Sequence, residues 1–165
     1  MTSGDLVVRR ATPGDAPRIA ELYFSLTNDP NINVQSARIA DLTYDVRTAL
    51  FVCEYLGEVC ATALVSLCAD VMYGRQPYAV VENVVVDDAL RGMGIGSLLL
   101  NHIEAFCLTS DCSKIMLMSS IHRQEAHRFF ERSGYTGSKK RGFVKYRSSM
   151  SLRIEPMHEE LPEEA

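Results

Sequence analysis

Hydrophobic positions along the chain fall into a two-residue and a three-to-four-residue period, and the switches between them predict the elements. Leu6-Val7-Val8-Arg9-Arg10 reads as a short first strand. Thr12-Pro13-Gly14-Asp15 opens a helix: threonine can cap, proline suits the first helical position, and aspartate favours the helix dipole. Ile19, Leu22, Tyr23 and Leu26 continue it on one face, and Asn28-Asp29-Pro30-Asn31 breaks it. A weaker helical period (Ile39, Leu42, Val46) runs from Val34 to Arg47. Two apolar runs, Ala49 to Tyr55 and Val59 to Leu67, flank Leu56-Gly57-Glu58 and read as a hairpin. After a loop from Ala69 to Pro77, Tyr78 to Asp87 forms a fourth strand. From Ile95, residues Leu98, Leu99, His102, Ile103 and Phe106 return to helical spacing, with His102 as a residue packed at the edge of the core. Lys114 to Ser119 is a fifth strand, and Arg123 to Ser133 a helix that Gly134 can end in a left-handed cap. Tyr135 opens another extended segment, and Phe143 to Tyr146 reads as a last strand.

This order predicts an α/β (α+β) domain: a mixed, mostly antiparallel sheet of six to seven strands with helices on both faces. At 165 residues the chain is one domain, spanning 1–150, followed by an acidic tail over 151–165. Charge supports that division. The formal net charge is −4, yet residues 1–150 hold 16 acids and 16 bases, so the acidity belongs to the tail. A neutral body lacks the basic excess with which proteins neutralise a phosphate backbone, which argues against a nucleic-acid partner. The five cysteines lack CxxC spacing or a histidine at zinc distance, so no metal is expected. No apolar run approaches the roughly 18 residues of a membrane span, and no leader pattern is evident, so the expected location is the cytoplasm, with no membrane partner.

The chemistry concentrates between Glu82 and Leu99. An apolar strand ends in Asp87-Asp88 and passes into Arg91-Gly92-Met93-Gly94-Ile95-Gly96 before the helix. Alternate glycines remove side chains that would hold a ligand off the backbone. The unpaired N–H groups of the helix's first turn point into the same space, with the positive end of its dipole behind them. Such a turn binds phosphate, and Arg91 adds a planar cation at its lip. The P-loop lysine and spacing are missing, and the third glycine comes one residue early for a dinucleotide fingerprint.

What remains is Arg-x-x-Gly-x-Gly after a strand. Arg91, Gly94 and Gly96 resemble the acetyl-coenzyme A signature of the GNAT superfamily of N-acetyltransferases. Ala126 to Tyr135 (AHRFFERSGY) resembles the helix-and-glycine element of the same family, and the likeness extends from the first strand to about Tyr146. The resemblance implies acetyl-coenzyme A as co-substrate. Its pantetheine arm would pair with the backbone of Val84, Val85 and Val86, and its pyrophosphate with the N–H groups of Arg91, Gly92, Met93, Gly94, Ile95, Gly96 and Ser97. It implies that the first helix–loop–helix walls the acceptor site, and that an acidic residue near this strand often acts as base; here that is Glu82, as base or substrate contact, unless it only binds a backbone amide or an arginine, with Asn83 on the other face the weaker candidate. By the two-residue period Glu82 shares a face with Val84. The acceptor implied is a primary amine, a small molecule before a protein side chain, attacking directly without an acetyl-enzyme. Family members are often dimers, which makes a homodimer one assembly to test.

Two positions depart from the family pattern. Phe130 stands where a tyrosine usually protonates the leaving thiolate, and Arg123 where an asparagine often meets the cofactor. Tyr135, Tyr146 and His127 are the alternatives for the acid, which stays unassigned. The departure also makes a second reading conceivable, a non-catalytic acyl-coenzyme A-binding module or sensor. Lys139, Lys140, Arg141 and Lys145 form a basic cluster, either a solvated turn or an attractor for an acidic acceptor.

Overall fold

The computed structural model describes residues 6–151. Five strands appear among them: β1 (Leu6–Arg10), β2 (Thr48–Tyr55), β3 (Glu58–Cys68), β4 (Tyr78–Val86) and β5 (Ile115–Leu117). Four helices accompany them: α1 (Ala16–Thr27), α2 (Ser36–Thr43), α3 (Ile95–Thr109) and α4 (Gln124–Arg132). The strands lie side by side in chain order. The first four are antiparallel, and β5 runs parallel to β4 after the crossover through α3.

The mixed, mostly antiparallel sheet agrees with the expectation, but the strand number does not. Five strands are present among the described residues rather than six or seven, because neither the segment after Tyr135 nor Phe143–Tyr146 joins the sheet. Phe143 is 88% exposed, and Val144 and Tyr146 are exposed beside it. The physical reason lies in the neighbour: β5 is only three residues long and offers a next strand little ladder to pair with. The second helix is also shorter than its sequence period, ending at Thr43. The acidic tail beyond Ser151 lies outside the described residues.

Both faces of the sheet are covered, which is why β2 reads as a continuous apolar run. Ala49, Phe51 and Cys53 point to the side of α3 and α4, where they meet Ile95, Leu99 and Ile103. Leu50 and Val52 point to the other side, against Ile19 and Leu22 of α1 and Ile39 of α2. His102 packs edge-on against Phe51, ring centroids 4.8 Å apart, as its place on the helical face predicts.

Strand β4 breaks the alternation once. Leu64 of β3 pairs with Glu82 and Thr62 with Val85, so Asn83 and Val84 together oppose Ala63 in a bulge. Asn83 takes a left-handed backbone, φ 57°, a conformation asparagine tolerates better than most residues. The extra residue inverts the phase. Ala79 and Val81 face α3 before the bulge, whereas after it Val84 and Val86 face α3 and Val85 faces α1. Glu82 and Val84 are therefore on opposite faces, not on one face as a regular two-residue period requires.

Candidate active site

The bulge also ends the pairing of β4 with β5. Only Ala79, Val80 and Val81 pair with Ile115, Met116 and Leu117. Among the described residues, the edge of β4 from Glu82 to Val86 has no partner strand on the β5 side and is paired by β3 alone. An extended chain laid beside this edge would find unpaired backbone donors and acceptors, which is strand addition by a ligand.

The edge leads directly into the glycine loop. Asp87 turns the chain: its carboxylate accepts the Ala89 N–H at 2.9 Å and an ion pair from Arg18 of α1, and its own N–H donates to the Cys60 carbonyl at 2.8 Å. These contacts, the Ala89 bond foremost and the Arg18 guanidinium after it, hold the Asp87 carboxyl below its ordinary pKa. Gly92 and Gly94 both sit at φ +82°, where a side chain strains the backbone even though nothing crowds the space around either. Helix α3 starts at Ile95 with no side-chain cap, and its first ladder bond joins the Leu98 N–H to the Gly94 carbonyl at 3.0 Å. The N–H groups of Ile95, Gly96 and Ser97 consequently have no helical acceptor.

The three glycines divide their work differently from the sequence expectation. A Cβ on Gly96 would come within 2.9 Å of the Phe129 ring, so this glycine makes room for α4 and seats the start of α3 against it. Gly92 and Gly94 supply the turn. Met93 packs against the core on the α3 side, and Ile95 is buried there. Arg91 is exposed and pairs with Asp88, an arrangement that solvent screens and that an anion at the loop can displace.

Glu82 is half-buried on the α1 side of β4. Tyr23 of α1 lies on that same side, packed beside Leu64 and Val85. Burial pushes its phenol up, and the neighbouring polar side chains of Asn83 and Thr62 oppose the shift. The sequence pattern placed Tyr23 on the apolar face of the helix but did not show the bulge. The available signal was Asn83 itself, a polar residue with left-handed tendency inside the run Ala-Val-Val-Glu-Asn-Val-Val-Val.

The residues weighed as proton donors fall in different places. Phe130 is buried to 8% exposure, tilted against Phe129 and edge-on to Tyr135. Tyr135 packs toward Cys107 and Glu104 in the later turns of α3, and burial pushes its phenol up to about 12. Tyr146 is exposed. His127 places Nε2 2.9 Å from the Ser120 carbonyl, which joins α4 to the segment leaving β5. No group of three metal-ligating side chains occurs among the described residues. A cavity of about 440 Å³, lined by Arg10, Phe51, His102 and Phe106, lies between β1 and α3, remote from the free edge and the loop.

Residues 17–135 match the acetyltransferase (GNAT) family, and the chain belongs to it. Among curated proteins it is 28% identical over 134 residues to glucosamine 6-phosphate N-acetyltransferase of Trypanosoma brucei brucei, covering 79% of this chain and 89% of the relative. It is 27% identical over 131 residues to an aminoglycoside N(6')-acetyltransferase type 1 of Stenotrophomonas maltophilia, with 78% and 84% covered. A solved chain from Agrobacterium tumefaciens str. C58 superposes with a TM-score of 0.76 at 31% identity, covering 85% of this chain and 99% of that one. The glucosamine-6-phosphate N-acetyltransferase of Arabidopsis thaliana shares the fold, with a TM-score of 0.74 at 23% identity and coverage of 86% and 98%. The protein is an acetyltransferase, and its family implicates acetyl-coenzyme A as the acyl donor. No helix among the described residues is long and apolar enough to cross a membrane.

Proposed function

We propose that the protein transfers an acetyl group from acetyl-coenzyme A to the primary amine of a small molecule, by direct attack of the amine. The observation that carries this reading is the edge of β4, Glu82–Val86, unpaired on the β5 side among the described residues and followed, after the short turn Asp88–Leu90, by a left-handed glycine loop and an uncapped helix start. Acetyl-coenzyme A, when bound, supplies the acyl group as a thioester. The backbone of Val84, Val85 and Val86 then hydrogen-bonds its extended arm, and the N–H groups from Arg91 to Ser97 hold its phosphates, with the α3 dipole behind them. Val84 and Val86 turn toward α3, so the donor side of the strand is apolar.

Glu82 faces the opposite side, toward α1. An amine is mostly protonated in neutral water and attacks only as the free base, so Glu82 takes the proton directly or through water. The bulge leaves Glu82 on the α1 side, beside the edge along which the extended arm would lie. Holding both reactants at one strand edge supplies the orientation on which acyl transfer depends. The two curated relatives are named for amino-sugar acceptors, which makes glucosamine 6-phosphate and an aminoglycoside the first amines to offer.

Calorimetric titration with acetyl-coenzyme A tests the reading on the native chain and on Gly94→Trp. Micromolar binding by the native chain, lost in the variant, supports it. A folded native chain that does not bind acetyl-coenzyme A removes it.

A further inference from the structure

Packing fixes the glycine loop at its helical end, where Met93 and Ile95 meet the core and Gly96 lies against Phe129. Hydrogen bonds fix the other end, and they converge on Asp87. Its N–H donates to the Cys60 carbonyl at 2.8 Å, one carboxylate oxygen accepts the Ala89 N–H at 2.9 Å, and its carbonyl accepts the Leu90 N–H at 3.0 Å. The second carboxylate oxygen is bound by Arg18 of α1. All three nitrogens of that guanidinium are engaged: Nε donates to the Val59 carbonyl at 3.0 Å and Nη1 to Glu21 at 2.6 Å. Asp87 and Arg18 are thus tied to each other and to neighbouring residues of β3, and the turn Asp88–Leu90 starts from that junction.

Charge gives the pair a second role. Asp87 and Asp88 are negative charges placed immediately before a loop read as the seat of phosphates, and like charges repel. Each is paired with an arginine, Asp87 with Arg18 and Asp88 with Arg91. The Arg18–Asp87 side chains are 36% and 26% exposed, against 56% and 64% for Arg91–Asp88, so solvent screens the first pair less. We propose that Arg18 is a positioning residue for the phosphate loop: through Asp87 it holds the turn Asp88–Leu90 and cancels a negative charge at the loop's entrance. The proposal rests on the reading of that loop as the acetyl-coenzyme A phosphate site. It gives α1 a role in donor binding although the helix lies on the acceptor side of the sheet.

The test removes the charge and keeps a polar side chain. In Arg18→Gln, acetyl-coenzyme A affinity by calorimetry should weaken about tenfold, while Arg18→Lys, which keeps a cation opposite Asp87, should stay within about threefold of native. Combining Arg18→Gln with Asp87→Asn removes the uncompensated carboxylate and leaves an amide oxygen for the Ala89 N–H. If Arg18 acts through Asp87, the double variant binds no more weakly than Arg18→Gln alone. Hydrogen exchange at the Asp87, Ala89 and Leu90 amides, each bonded in this turn, should quicken in Arg18→Gln while the β1–β2 amides stay native. A merely structural arginine would quicken exchange across the whole sheet. Native-like affinity in Arg18→Gln, equal losses in the lysine and glutamine variants, or losses at 18 and 87 that simply add overturn the proposal. If the native chain itself fails to bind, the cofactor reading falls, and unchanged exchange in the turn would show that Arg18 does not hold it either.

Discussion

The two ends of the sheet are built on opposite principles. At the β1–β2 end polar groups are saturated. Arg9 donates to both oxygens of Asp15, at 2.7 and 2.9 Å, and through Nε to Glu54 at 2.8 Å. Asp15 also accepts the Thr12 N–H at 2.6 Å and the Thr12 hydroxyl at 3.0 Å, closing the turn that starts α1. The Arg9 hydrogen bonds hold the Asp15 carboxyl down at about 2. At the β4–β5 end the chain instead leaves groups unspent: a strand edge beyond the bulge, the first turn of α3, and a loop with two left-handed glycines. A concentrated stretch of backbone without protein partners is open to a ligand as well as to water, and it is here that the proposed acetyl-coenzyme A site lies. Rigidity at one end allows openness at the other.

Changes at the open end should alter chemistry with little effect on folding, and changes at the closed end the reverse. Glu82→Gln carries the largest expected effect. Removing the base proposed for the amine proton should lower thiol release from acetyl-coenzyme A by on the order of 100-fold, once an acceptor amine is found, with the thermal midpoint near native. Equal turnover in Glu82→Gln would move the base elsewhere.

Asp15→Asn breaks the closed end. Loss of a largely buried ion pair should destabilise the fold by about 2 kcal/mol in urea unfolding, with acetyl-coenzyme A affinity unchanged. Its pH dependence has a definite sign. Because folding lowers the Asp15 pKa from the ordinary 3.8 to about 2, its contribution is complete above pH 3.8 and is lost as pH falls through about 2. The native protein should therefore lose stability across that window more steeply than Asp15→Asn does. Parallel acid curves would show that the Arg9 pair contributes nothing.

Gly96→Ala sits between the two ends, where packing serves the site. The added methyl meets the Phe129 ring, so we expect a loss of roughly 1–2 kcal/mol and a modest weakening of acetyl-coenzyme A binding as the start of α3 shifts. Phe129→Leu should relieve part of both effects in the double variant. The smallest effect is expected for Phe143→Ser. An exposed side chain outside the sheet should change stability by less than about 0.5 kcal/mol in thermal melts. A larger loss would mean that Phe143 is covered in solution, for example by a second copy of the chain.

Much of this architecture was legible in residue patterns because the signals are local. Period-two and period-3.6 runs located β1 to β4 and α1, α3 and α4 to within a few residues, and Arg91-x-x-Gly94-x-Gly96 marked the turn where strand meets helix. Composition placed the acidity in the tail and argued against a phosphate-backbone partner. These properties depend on neighbours a few positions apart, which the sequence carries directly.

Other features were decided only when distant segments met. Pairing with β3 determines that Asn83 is an inserted residue, and one inserted residue reverses the face of everything after it, so no periodicity within β4 could place Glu82 and Val84 correctly. Gly96 looked like ligand clearance until Phe129, 33 positions later, proved to occupy the space. Phe143–Tyr146 has the composition of a strand, yet a strand exists only where another edge accepts its hydrogen bonds, and β5 is too short to provide one. Local sequence sets what each segment can become; pairing and packing across the sheet select which of those options is realised, because their energies belong to contacts and not to residues.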